Sequence, residues 1–320
     1  QKQLMEFVSK SRIPIVHTLM GKGCVDEQCK YYIGLIGSHG FSYANNAIAN
    51  ADVLILIGTR IADRATAGLK YFAKDADIIH IDIDPAEIGK NLGINIAVVG
   101  DCKNILEELT KKIGFIDTDS WINDIRKWKK DSIIPNKLTE KVNPKYALKL
   151  LSQILEENVI ITADVGQNQI WCARNFTITQ RRCFLTTGGL GTMGYALPAA
   201  IGSKIANPSR RVVAVTGDGG FQMSLAELGT IAENKINIII LIFNNCGLGM
   251  VREIQNNSYE GNYAVKLNCN PDFVKISEAY GLQGRKVTSN NELEEAFNEA
   301  AHAKKTFVIE CMVDPFESTF

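Results

Sequence analysis

The sequence predicts an α/β protein built from two doubly wound parallel-sheet domains. Three observations lead there. Short apolar runs alternate with helical patterns, the alternation occurs twice on either side of a polar stretch, and 320 residues suffice for about two domains at ~100–200 residues each. Runs that are apolar throughout, rather than at every second residue, suit strands covered on both faces.

In the first region the β-branched runs "IPIVHT" (13–18), "DVLILIGT" (52–59), "DIIHIDI" (77–83) and "NIAVVG" (95–100) read as strands. "YANNAIANA" (43–51) and "CKNILEELTKKI" (102–113) between them have helical spacing. From Gly114 the character changes. An amphipathic segment around Trp121 and Trp128 leads into "IIPNKLTEKVNP", which reads as a connector. Asn143-Pro144 then supplies a helix N-cap and a first-turn proline. The second region repeats the pattern with "NVIITADVG" (158–166), "CFLTT" (183–187), "RVVAVTG" (211–217), "INIIILIFN" (236–244) and "TFVIECMV" (306–313). The expected domains are therefore 1–115 and 143–320, joined by a linker over 116–142.

Composition narrows the function classes. Lys+Arg and Asp+Glu are both 35, so no net field favours nucleic acid or anionic lipid. No run approaches ~18 uninterrupted apolar residues, the length of a membrane-spanning helix. The opening "QKQLMEFVSKSR" lacks the apolar core of a signal peptide. The eight cysteines form no CxxC pair and do not cluster with the four histidines, so free thiols in a reducing cytoplasm are expected.

The chemistry concentrates between Arg211 and Met250. "RVVAVTG" ends in Gly217-Asp218-Gly219-Gly220, helical spacing follows through Phe221, Leu225, Leu228 and Ala232, and "INIIILIFN" runs into Asn244-Asn245. A strand–helix–strand unit returns its second strand parallel to the first. Both loops then lie at the carboxyl edge of the sheet, where open α/β folds bind ligands. Asp218 offers a carboxylate oxygen and Asn245 an amide oxygen, the donors that magnesium or calcium prefers, with phosphate oxygens and water completing a magnesium shell. The glycines admit an anion close to the backbone, and the helix after Gly220 turns unpaired N–H groups toward it. A lone Gly-Asp-Gly is usually only a turn. Paired with Asn-Asn at the next strand end, it describes a diphosphate held through a metal ion.

Gly-Asp-Gly followed about two dozen residues later by Asn-Asn resembles the signature of thiamine diphosphate (ThDP) enzymes. "GGLGTMGYALPAAIG" (188–202), "DVGQNQIW" (164–171) and "NNCGLGMV" (244–251) resemble the ThDP-binding domain of the acetolactate synthase (acetohydroxyacid synthase) family. "TLMGKG", "DRATAG" and "HIDIDPAEIGKN" resemble that family's central FAD-binding domain. The resemblance implies a Rossmann-like central domain and a ThDP-binding fold, with Mg2+ bound by Asp218, Asn245 and the Gly247 carbonyl. Met193 would wedge beneath the cofactor and Gly191 would bind its aminopyrimidine. Gly166, Gln167, Asn168, Gly217, Gly219, Gly220, Leu248 and Gly249 would line the diphosphate. Met250, Val251, Ile254 and Arg64 would flank the substrate. A structural FAD would contact His39, Gly40, Gly58, Arg60, Asp63, Arg64, Asp82, Ile83, Glu87 and Asp101. Asp82 at a strand end also suits a ribose hydroxyl, and Arg60 and Arg64 suit a diphosphate or carboxylate.

By this resemblance the protein decarboxylates pyruvate and adds the hydroxyethyl unit to a second 2-keto acid, in branched-chain amino acid biosynthesis. A homodimer or homotetramer with the cofactor between chains, and a regulatory small subunit, are the implied partners. Three departures stand out. Asn168 replaces a histidine, Ile254 replaces a tryptophan associated with 2-ketobutyrate preference, and the catalytic glutamate belongs to a pyrimidine-binding domain that this stretch does not contain. The chain is accordingly expected to be a fragment, inactive alone. Another ThDP-dependent decarboxylase or carboligase, or a non-catalytic cofactor-binding module, are the alternatives.

Overall fold

Strands form where the apolar runs lie. The computed structural model describes residues 1–132, 140–155 and 158–320, and the chain divides into two units, Gln1–Asn136 with Thr179–Arg181 and Lys137–Ile178 with Arg182–Phe320.

The first unit contains β1 (Ile15–His17), β2 (Tyr32–Leu35), β3 (Val53–Ile57), β4 (Asp77–Asp82) and β5 (Ile96–Val99). β1 pairs with β2, and β3, β4 and β5 form a second sheet in that order, every pairing parallel. Leu54 and Leu56 face one layer with Tyr43, Ala44, Ala47, Ile48 and Ile125. Ile55 and Ile57 face the opposite layer with Phe7, Val8 and Leu106. That two-sided covering is why these strands are apolar throughout. Within the segment expected as a connector, Asp119–Asp131 is a helix with Ile122 and Ile125 buried and Trp121 edge-on to Trp128 at 5.4 Å. Positions 133–139 of that expected connector lie outside the described residues.

The second unit holds β6 (Val159–Ala163), β7 (Phe184–Thr186), β8 (Arg211–Gly217), β9 (Ile239–Asn244), β10 (Gln283–Val287) and β11 (Phe307–Met312). They form one six-stranded parallel sheet in the order β10-β11-β9-β8-β6-β7. Val212, Ala214, Ile240 and Ile242 pack on one face with the helix Ala196–Ala206, Phe221 and Phe273. On the other, Trp171 meets Phe243 edge-on at 5.7 Å. The helix Pro144–Ile154 opens this unit, and Asn143 Oδ1 accepts from the Lys145 and Tyr146 N–H groups as the N-cap the sequence predicts.

Two strands escape the sequence reading. β2 is four residues long and includes Gly34. β10, "QGRKV", pairs only with β11 and is mostly polar, because an edge strand buries less of its surface than a central one. The helix expected after Gly220 instead starts at Asp218, ends at Met223, and is followed by a separate helix Glu227–Glu233.

Candidate functional site

β8 and β9 are neighbours in register, with Gly217 opposite Phe243, so the residues that follow each strand meet. Asp218 is buried, and its Oδ2 accepts from the Gly247 N–H at 3.0 Å and from Asn270 Nδ2 at 2.6 Å. Burial pushes the Asp218 carboxyl above its ordinary value, against the opposing pull of these bonds. Asn245 is also buried. Its Nδ2 donates to Gln167 Oε1 at 3.0 Å, while its Oδ1 has no hydrogen-bond partner. The Gly247 carbonyl accepts from Gly249 N–H at 3.0 Å, which leaves it one lone pair.

These groups line a cleft of about 130 Å³ together with Gly166, Gln167, Asn168, Met193, Gly217, Gly219, Gly220, Leu248, Gly249, Met250 and Val251. A hard dication fits it. It would relieve an orphaned buried amide oxygen and a carboxylate raised by burial, and Gly219 and Gly220 in the first helical turn bring backbone N–H groups to the same cleft.

A second carboxylate organises the cleft. Asp164, directly after β6, is buried, with Oδ1 accepting from Gly194 N–H at 3.0 Å and Oδ2 from Ala196 N–H at 2.9 Å. Burial raises its pKa too. The two bonds pin the turn carrying Gly191 and Met193, so Met193 lies in a loop against Gly219 rather than on a core helix face. Gly220 is tight for the same reason, since a Cβ there would sit 2.8 Å from Asp164 Oδ1. Asn168 Nδ2 closes the turn by donating to the Asp164 carbonyl at 2.8 Å. Val251 and Ile254 are exposed on the helix Gly249–Ser258.

In the first unit the carboxyl edge of β3, β4 and β5 gathers Gly58, Asp82 and Asp101. Gly58 adopts φ +56°. Asp82 Oδ1 accepts from Asp84 N–H at 2.9 Å, and Ile83 beside it is exposed. Asp101 caps the helix Cys102–Lys112 through Lys103 and Asn104 N–H. Arg60, in the loop after β3, and Asp63 and Arg64, in the short helix Asp63–Thr66, are exposed, and the Arg64 carbonyl accepts from Ser38 N–H at 2.9 Å, bringing that segment beside His39 and Gly40. Glu87 pairs with Lys90 at 3.0 Å.

Residues 164–311 match the family model of the thiamine pyrophosphate enzyme C-terminal TPP-binding domain, and residues 1–109 match that of the central domain. The chain belongs to the thiamine pyrophosphate enzymes. Thiamine pyrophosphate is thiamine diphosphate, so this family's own cofactor is one with a diphosphate to place. The thiamine pyrophosphate enzymes to which the chain is similar include a probable acetolactate synthase large subunit of Methanocaldococcus jannaschii, 44% identical over 99% of this chain and 55% of that protein. The acetolactate synthase large subunits of Cyanidium caldarium and Haemophilus influenzae are 40% and 35% identical over the whole chain and over 56% and 57% of their own lengths. The chain thus spans little more than half of each relative. Among the described residues, no helix is long and apolar enough to cross a membrane, and none of the eight cysteines is joined in a disulfide.

Within this thiamine pyrophosphate enzyme, sequence reasoning missed Asp164, Asn270, Arg252 and Glu253. Asp164 follows its strand as Asp218 follows β8, a parallel that was available. Asn270 sits in a loop with no periodic signal. Arg252 is buried with Nη2 unpartnered, and burial lowers its pKa although Asp218, Asp314 and Glu253 pull it the other way.

Proposed function

We propose that the cleft after β6, β8 and β9 is the diphosphate-and-metal half of a ThDP site in an acetolactate synthase-type carboligase. Such an enzyme decarboxylates pyruvate and joins the two-carbon unit to a second 2-keto acid. The observation that carries the reading is the buried, unpartnered Oδ1 of Asn245 beside a buried Asp218. Asp218, Asn245 and the Gly247 carbonyl would hold Mg2+. Gly166, Asn168, Gly217, Gly219, Gly220, Leu248 and Gly249 would receive the diphosphate, Gly191 and Met193 would set the cofactor's bend, and Met250, Val251 and Ile254 would face substrate. ThDP, when bound, supplies the electron sink for decarboxylation. The contribution of these residues is to bind, orient and exclude water.

The carboxyl edge of the first unit would take FAD through His39, Gly40, Gly58, Arg60, Asp63, Arg64, Asp82, Ile83, Glu87 and Asp101. The whole protein would act in the cytoplasm as a homodimer or homotetramer with a regulatory small subunit. Relatives named acetolactate synthase large subunit support this reading. Ile254, exposed on the helix that carries Met250 and Val251, supports a second reading in which another 2-keto acid is the acceptor; products from a panel of 2-keto acids separate the two. Asp218→Ala tests the first. It should abolish Mg2+-dependent ThDP binding measured by calorimetry, and unchanged affinity would refute the site.

A further inference from the structure

We propose that Gln167 is a positioning residue that turns the Asn245 amide so that its oxygen faces the cation. The inference rests on the ThDP–Mg2+ reading and departs from the resemblance, which puts Gln167 against the diphosphate. The side chain of Gln167 is buried, and both its N–H groups are committed. Nε2 donates to Glu253 Oε2 at 2.7 Å and to the Glu317 carbonyl at 2.8 Å. Each partner only accepts, so the Gln167 amide has one satisfactory orientation.

Glu253 is held ionised. Burial pushes its carboxyl up, but bonds from Gln167, the Thr319 N–H and the Ser318 and Thr319 hydroxyls outweigh that and bring it below its ordinary value. An acceptor-only carboxylate therefore sets the polarity. Gln167 must present Oε1 to its other neighbour, and that oxygen can only accept. Asn245 answers with Nδ2 at 3.0 Å, which leaves its Oδ1 pointing elsewhere, with no protein partner. A flipped Asn245 would set oxygen against oxygen and offer the cation an N–H group instead.

Gly249 gives independent support. A methyl group there would overlap Gln167 Oε1 and come within 2.5 Å of Asn245 Nδ2. The backbone thus leaves space at the point where the two amides meet. Second-layer partners of metal ligands typically change metal affinity by about 10–100-fold when removed.

The experiment measures ThDP binding by calorimetry across a Mg2+ series, using the full-length protein. Gln167→Met keeps the volume and removes all three bonds. The Mg2+ concentration for half-maximal ThDP binding should rise on the order of tenfold or more, with wild-type ThDP affinity restored at saturating Mg2+. Circular dichroism of the cofactor-free variant checks folding. Should it fail to fold, Glu253→Gln, which removes the acceptor-only partner at similar shape, is expected to give the same Mg2+ shift. A ThDP loss that persists at saturating Mg2+ means direct diphosphate contact and overturns the proposal. So does an unmoved Mg2+ dependence in a folded variant. Wild-type protein that binds ThDP without Mg2+ overturns the functional reading, and this inference with it.

Discussion

Gly249→Ala sets two physical effects against each other. Gly249 is the first residue of the helix Gly249–Ser258 and does not have a positive φ, so alanine fits the backbone and improves helix propensity by up to about 1 kcal/mol. Against this, the new methyl would overlap Gln167 Oε1 and crowd Asn245 Nδ2. The Gln167 amide must leave a place where it makes three hydrogen bonds, one of them to a carboxylate. A bond to a charged group contributes about 1.5–3 kcal/mol and a neutral one about 0.5–1.5 kcal/mol. The lost bonds win, and a net destabilisation of about 2–4 kcal/mol is expected. Urea unfolding of the cofactor-free protein measures it. The decisive step is a double-mutant cycle. With Gln167→Ala already in place the overlap with Oε1 is gone and only the crowding of Asn245 Nδ2 remains, so Gly249→Ala should then cost clearly less. Equal destabilisation in both backgrounds, or none in either, would refute the reasoning.

Two further predictions concern the first unit. His17 is buried with Nδ1 near the Thr18 carbonyl at 2.7 Å and Nε2 near the Tyr32 hydroxyl at 2.8 Å, beside the Lys22–Glu27 ion pair; burial, then Lys22, lowers its pKa to about 4. The unfolded chain takes up this proton first, so stability should fall as pH drops from about 6.5 toward 4, by about 3 kcal/mol in all; His17→Gln should flatten that stretch of the profile in urea titrations at stepped pH, and an identical slope would count against it. Asp101→Ala removes the cap of the helix Cys102–Lys112 and should cost about 1 kcal/mol in protein without added ligand, read by thermal melting; no change would leave Asp101 without the capping role.

How legible the site was depended on what each residue answers to. Asp218 and Asn245 could be placed together because strand–helix–strand topology puts consecutive strand ends at one edge, and the Gly247–Asp218 bond at 3.0 Å realises it. Asn270 and Glu253 could not. Asn270 is 52 residues from the carboxylate it holds and Glu253 is 86 from Gln167, and no local period announces such pairs. β10 escaped because an edge strand buries too little to demand an apolar run, and the helix 119–131 was read as part of a connector because its buried Ile122 and Ile125 are few among charges.

By itself the sequence determined the α/β class, the positions of the strands other than β2 and β10, and the residue types gathered at the sheet edge, because burial on both faces of a parallel sheet forces apolar runs and strand–helix–strand topology brings consecutive strand ends to one edge. Only the tertiary structure decided which way the donors point. Amide orientation follows from a hydrogen-bond chain of Glu253, Gln167 and Asn245, and a donor's direction is a property of its neighbours in space, which sequence order does not record.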